Sequence, residues 1–188
     1  MPTAVGRSAR SMRLRLIGAL AMLPALATGV SAQAPAPQGQ AAPRIVVQQL
    51  DAAMLDRWIK YAAVMLPAGA NAEAAKTTEA QLADLHQRTC KSVGLPDPAQ
   101  CGAVDEYVAF LLAGLEEPGN RFVDPIAKAR QDLAGARADK ALDAKAKAEA
   151  VKDIEEFLAR APQAVPKAHI DLMNASKARI LPLLQTGR

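Results

Sequence analysis

Large aromatic rings are scarce in this chain, with one Trp, two Tyr and three Phe among 188 residues. With so few, the core is expected to be filled by close helix packing through alanine. Cysteine and histidine are as sparse, two of each. No Cys-x-x-Cys, Cys-x-x-Cys-His or His-Glu-x-x-His occurs, which removes the common redox, haem and zinc-protease signatures. A Gly-rich phosphate loop and a Gly-x-Ser-x-Gly nucleophile elbow are missing too. Apart from Arg44-Ile-Val-Val47, no stretch joins β-branched residues to a two-residue alternation, so no sheet is expected. What is abundant is alanine, 42 residues within a hydrophobic fraction of 51%. Alanine is the best helix former and contributes little burial area. With 22% of residues charged, the composition excludes collagenous, disordered and multi-span membrane chains.

Acidic residues are absent from Met1 to Ala32, where Arg7, Arg10, Arg13 and Arg15 precede the apolar run Leu16–Leu26. Thr28-Gly-Val-Ser-Ala32 follows, with small residues where a signal peptidase needs them. This pattern predicts a secretory signal peptide over residues 1–32, cleaved after Ala32, with Met12 as an alternative start. The apolar run falls short of the about 20 residues a stable bilayer span requires. No adjacent arginine pair points to the twin-arginine route, and no cysteine follows the run to carry a lipid anchor. Export is therefore expected to be Sec-type, to the periplasm or the exterior, with no transmembrane span in the mature chain.

The leader accounts for the whole charge excess. The chain carries +4 and a pI of about 9.2, but removing its four arginines from 23 bases leaves 19 against 19 acids. Nucleic acid drops out as an expected partner, because phosphate binding needs clustered cations. Within the remainder, residues 33–120 hold 6 bases and 10 acids, and residues 121–188 hold 13 bases and 9 acids. Complementary halves of this kind predict an acidic hairpin docked on a basic one. The alternative is a basic surface along residues 121–152 that meets an acidic partner or lipid headgroups.

Residues 33–44, rich in Pro, Gln and Ala, have nothing to bury and are expected to form a disordered tether. Beyond them the apolar spacing is helical. Val47, Leu50, Met54, Trp58, Tyr61 and Met65 form one stripe that ends at Pro67-Ala-Gly69. A second helix is expected over about 73–93, closed by Gly94. Asp97-Pro98 and Asp124-Pro125 announce the third and fourth, since a capping acid before proline is a start signal. The third stops at Pro118-Gly119-Asn120, residues 139–143 read as a turn, and a fifth helix ends before Pro162. The last begins at Val165-Pro166 and frays or kinks at Pro182. The predicted fold is all-α, a single bundle of about six antiparallel helices over residues 45–188.

Few residues offer chemistry. Cys90 and Cys101 lie 11 positions apart across a Gly-Leu-Pro-Asp-Pro turn, and in an exported chain such a pair predicts a structural disulfide. A redox pair is the alternative. His86 stands four residues before Cys90 on the same helical face, a spacing that suits zinc with Cys101 as third ligand. With no fourth ligand evident and the thiolates consumed by oxidation, no metal is expected. His169 is expected to pack or cap. The pairs Asp105-Glu106, Glu116-Glu117 and Glu155-Glu156 point about 100° apart on a helix and read as solvated faces. Met54, Met65 and Met173 fall on apolar stripes, against a copper site. The segment Glu116–Pro125 is the least ordinary. Arg121 and Phe122, with Asp124, offer a contact loop between two helices; alternatively Phe122 plugs the bundle end while Arg121 pairs with Asp124 or another acid.

The motifs Cys90-Lys-Ser-Val-Gly94, Leu112-Ala-Gly-Leu115, Arg121-Phe-Val-Asp-Pro125, Ala138-Asp-Lys140 and His169-Ile-Asp-Leu172 resemble small exported bacterial helical proteins of uncharacterised function, over about residues 90–185. The resemblance implies an exported helical protein and supplies no catalytic residue. The expectation is a non-enzymatic protein without cofactor that acts on another envelope or secreted protein, as an envelope accessory, inhibitor or immunity-type factor. A small-ligand or lipid-binding bundle is the alternative and predicts an apolar cavity between helices. A hydrolase or redox enzyme is the second, requiring His86, His169 or a free Cys90 in a cleft.

Overall fold

Side-chain caps decide where most helices of this chain begin. The computed structural model describes residues 43–185; the expected signal peptide over 1–32, and the tether as far as residue 42, lie outside the described residues. Asp51 accepts the Met54 N–H at 2.7 Å and opens α1, Ala52–Ala70. The predicted start near Val47 is therefore too early. Residues 43–51 form a strap outside any helix or strand, because Ile45-Val46-Val47 resists helix at Cβ and Asp51 supplies the cap. Ile45 and Leu50 of this strap are buried, and the Ile45 N–H donates to the Arg160 carbonyl at 2.7 Å. At the far end α1 runs through Pro67, forgoing one hydrogen bond, and closes on Asn71.

The second helix also starts later than its apolar pattern predicts. Residues 71–76 form turns, and Thr78 and Gln81 exchange backbone and side-chain bonds in a capping box before α2, Glu79–Ser92. Gly94 follows at φ +80°, the left-handed terminator expected there. Asp97 caps α3, Pro98–Leu112, and Asp124 caps α4, Pro125–Ala138, as their Asp-Pro pairs predict. Asp143 caps α5, Ala144–Arg160, after the expected turn. The last predicted helix is two: α6, Lys167–Ala175, and α7, Lys177–Gln185, divided at Ser176 with φ −99° and ψ 2°. Met173 and Ile180, seven residues apart on either side of the break, are both fully buried.

Seven helices and one small hairpin thus make up the described residues, where the sequence predicts six helices and no sheet. The strands β1, Leu115–Glu116, and β2, Arg121–Phe122, pair antiparallel with Leu115 opposite Phe122 and Glu116 opposite Arg121. Strands of two residues leave no alternation to detect, and Pro118-Gly119-Asn120 reads equally well as a helix stop or a hairpin turn. Helix α1 packs on α2 and α7, α2 on α3, and α4 chiefly on α5, while α6 lies against β2 and α7. Among the described residues no helix is long and apolar enough to cross a membrane.

The core is built on rings rather than on alanine. Trp58, Tyr61, Tyr107, Phe110 and Phe122 are all buried, and Phe157 stacks on Phe110 with centroids 5.3 Å apart. Among the described residues, only three alanines, Ala62, Ala129 and Ala161, are buried. Scarce aromatics are therefore concentrated where each removes the most apolar surface from water. Two ion pairs, Arg160–Glu106 and Arg179–Asp56, link the basic second half to the acidic first. Others stay within the α4–α5 hairpin and its helices: Lys128–Asp132, Arg137–Glu155 and Lys152–Glu156. Exposed pairs of this kind set register more than stability.

Candidate functional site

A single asparagine positions the surface that the sequence marks as a contact loop. Asn174, in the last turn of α6, accepts the Phe122 N–H at 2.9 Å and donates to the Phe122 carbonyl at 2.8 Å. It supplies both bonds that a neighbouring strand would, and it also donates to the Ile170 carbonyl. The hairpin is thereby locked to α6. Asn174→Ala is expected to lose about 2 kcal/mol of stability by leaving two backbone groups unmet. Urea denaturation checks this; an unchanged midpoint would show the hairpin to be held otherwise.

Between β2 and α6 lies an open groove of about 380 Å³, lined by Arg121, Val123, Asp124, Val165, Lys167, Ile170, Asp171 and neighbours. Its floor is apolar and its rim charged. Arg121 is exposed and bonds Glu116 at 3.0 Å, its cross-strand partner. Lys167 and Asp171, one turn apart, form the opposite rim with Nζ–Oδ2 at 2.6 Å. Of the three predicted contact residues, Arg121 and Asp124 are exposed and Phe122 is not. Phe122 is 1% exposed and plugs the core, and Arg121 pairs with the neighbouring acid Glu116, as in the second of the two readings of this loop. Asp124 spends Oδ1 on the Ile126 N–H as the α4 cap. Asn174 and Lys167 escaped the sequence reading. The one available signal was an asparagine inside a helix, where its side chain competes with the backbone.

The residues with reactive side chains lie elsewhere and bond to one another. Cys90 and Cys101 have Sγ atoms 2.06 Å apart and form a disulfide from the end of α2 to the start of α3. Each histidine meets one tyrosine: Tyr61 Oη lies 2.8 Å from His86 Nδ1, and Tyr107 Oη lies 2.8 Å from His169 Nδ1. Burial raises the Tyr61 hydroxyl above its usual range and the Tyr107 hydroxyl to about 12, so both stay protonated. Burial also holds His169 below the usual histidine range. His86 sits above the disulfide with Nε2 3.5 Å from Cys90 Sγ, and the ligating atoms of His86, Cys90 and Cys101 all fall within 4.8 Å of one another.

Asp105 completes this cluster by accepting the Trp58 indole N–H at 2.9 Å. Burial is the largest influence on its carboxyl and, with the Glu106 charge, lifts it above the usual carboxylate range, against the opposing Trp58 bond and His86 charge. The folded chain thus holds this proton more tightly than the unfolded one. Asp105 is tolerated best in acid, and it costs stability as pH rises from the ordinary carboxylate range through its folded value. Asparagine retains the acceptor without the charge. Asp105→Asn is expected to stabilise by on the order of 1 kcal/mol at neutral pH and by nothing at about pH 3. Thermal midpoints at the two pH values check this, and a loss at neutral pH would contradict it.

A second hollow, of about 240 Å³, lies between the strap and α3, lined by Gln48, Gln49, Asp51, Met54, Gln100 and Val104. No family model matches this chain, and no curated protein or solved structure matches it significantly.

Proposed function

We propose that this is an exported, non-enzymatic helical protein that acts by binding another envelope or secreted protein, with the β2–α6 groove as the contact surface. One observation carries the reading: the histidines, cysteines, tyrosines and Asp105 bond to one another in and around the core, while Arg121, Lys167 and Asp171 ring an open groove. Side chains committed in this way hold helices together and present no nucleophile to a substrate. Arginine beside an apolar floor is the composition of a protein-contact hot spot, and the Asn174 clamp fixes that surface before binding, which lowers the ordering cost. The acid-free leader supports export, and the neutral remainder argues for a protein partner over a polyanion. Both hollows mix apolar residues with charged or amide side chains and open to the surface, which favours protein contact over an enclosed apolar ligand.

Two experiments test this. N-terminal sequencing of the protein recovered from periplasm or medium is expected to begin at Gln33; a chain retained in the cytoplasm with its leader intact would overturn export. A photo-reactive amino acid placed at Arg121 in living cells is expected to yield one discrete protein adduct that Lys167→Glu abolishes, while the same probe at the exposed Arg88 of α2 yields none. No adduct at Arg121, or identical adducts at both positions, would refute the groove.

A further inference from the structure

We propose that the dithiol form of this chain binds one zinc ion through His86, Cys90 and Cys101, so that the α2–α3 corner is closed either by metal or by the disulfide. The inference is independent of the groove. His86 and Cys90 are one helical turn apart and share a face, and Cys101 comes from the first turn of α3. The ligand edge is already the right length. With Zn–S of about 2.3 Å and Zn–N of about 2.0–2.1 Å, the N···S edge of a tetrahedron is about 3.5 Å. His86 Nε2 lies 3.5 Å from Cys90 Sγ.

The support behind the imidazole is in place as well. Metal-binding histidines are usually oriented by a partner on the other ring nitrogen. Here His86 Nδ1 meets the Tyr61 hydroxyl at 2.8 Å, which leaves Nε2 as the ring nitrogen for the metal. The ion demands separation of the two sulfurs, to an S···S edge of about 3.8 Å. It also demands a turn of the imidazole that aims Nε2 at the metal, since Cys90 Sγ now lies beside the ring, 3.5 Å from Nε2 and 3.9 Å from Nδ1. Cys90 and Cys101 are both closed to solvent and His86 is half-buried, so a bound ion would be shielded on the sulfur side and reached past the imidazole. Three protein ligands leave a fourth position for water.

The two closures exclude each other by their chemistry. In the dithiol, each sulfur carries a proton; zinc displaces both protons to solvent and no electron moves. Disulfide formation removes the same two protons together with two electrons, which pass to a disulfide oxidant released as its dithiol. A sulfur in the disulfide has no thiolate to donate, so oxidation expels the ion.

The test uses the purified protein, reduced by a phosphine in denaturant and returned anaerobically to buffer. Cobalt(II) is then added, followed by zinc. One equivalent of cobalt is expected to produce thiolate-to-cobalt charge-transfer absorption and the visible bands of four-coordinate cobalt, and one equivalent of zinc to erase them. The oxidised protein is expected to produce neither. His86→Asn, whose amide can keep the Tyr61 bond while removing Nε2, is expected to weaken zinc at least about tenfold, the scale on which even an outer-shell partner acts. If the reduced chain is unfolded, one equivalent of zinc is expected to restore its far-ultraviolet helicity. The proposal is overturned by any of three results: no saturable binding by the reduced chain, equal affinity in His86→Asn, or an unfolded reduced chain that zinc leaves unfolded.

Discussion

Gly114→Ala is expected to cost about 3 kcal/mol or more, the largest effect of any single added methyl group. A Cβ on Gly114 would lie 2.2 Å from the Val123 carbonyl oxygen and 3.2 Å from that of Leu111, where real Cβ contacts essentially never fall below 3.0 Å. Both neighbours are backbone, so no side chain can swing aside. The Gly114 carbonyl also accepts the Val123 N–H at 2.9 Å. Spreading the two segments to admit the methyl group would break that bond and draw Phe122, next to Val123, out of the core. The thermal midpoint is expected to fall by roughly 6–12 °C for a domain of this size. Gly135→Ala is the control: nothing lies within 4 Å of a Cβ there and the position is inside α4, so a gain of up to about 1 kcal/mol is expected. Equal midpoints for the two variants would contradict the close approach.

Removing the disulfide comes next in size. Cys90→Ala with Cys101→Ala leaves no lone thiol and releases a loop of sequence separation 11, for which chain entropy gives about 3 kcal/mol. Cys90 is 0% exposed and Cys101 2%, so the missing sulfurs also leave unfilled core beside Leu95 and Tyr107. Guanidinium denaturation is expected to show a lower midpoint and a slope that does not fall, because the unfolded chain freed of the bridge exposes at least as much surface. A variant as stable as the parent would mean that the caps at Asp97 and Gly94 hold the α2–α3 corner without the bridge.

How far the fold could be read from the chain depended on the range of each interaction. Asp97 and Asp124 bond an N–H two residues ahead, and their Asp-Pro pairs were legible as helix starts. Thr78-x-x-Gln81 carries the same kind of signal, but the apolar pattern upstream of it was read as helix instead. Ile45-Val46-Val47 lies where helical spacing and β-branching disagree, and the β-branched resistance to helix prevailed. The hairpin turns Phe122 into the core, a tertiary demand with no periodic trace. Met173 and Ile180, seven apart, share one helical face, and their spacing does not record the break at Ser176.

The site divides along the same line. His86 and Cys90 were legible as a pair because four residues make one helical turn. Arg121 and Asp124 stood out because their loop interrupts two helical stripes. Asn174, which bonds Phe122 from 52 residues away, and Tyr107, which bonds His169 from 62, depend on chain crossings that no local pattern records. Knowing those pairs changes the chemical reading of the histidines: each is held by a tyrosine hydroxyl inside the fold.

That division of labour, reactive side chains for structure and the groove for contact, is tested most directly by the dissociation constant of the protein captured at Arg121. It would be measured for the parent, for Lys167→Glu and for Tyr107→Phe. Lys167→Glu is expected to weaken binding at least about tenfold, equivalent to about 1.4 kcal/mol, while Tyr107→Phe leaves it within about twofold even as it lowers stability by about 1 kcal/mol. Unchanged binding in Lys167→Glu together with lost binding in a folded Tyr107→Phe would contradict the account.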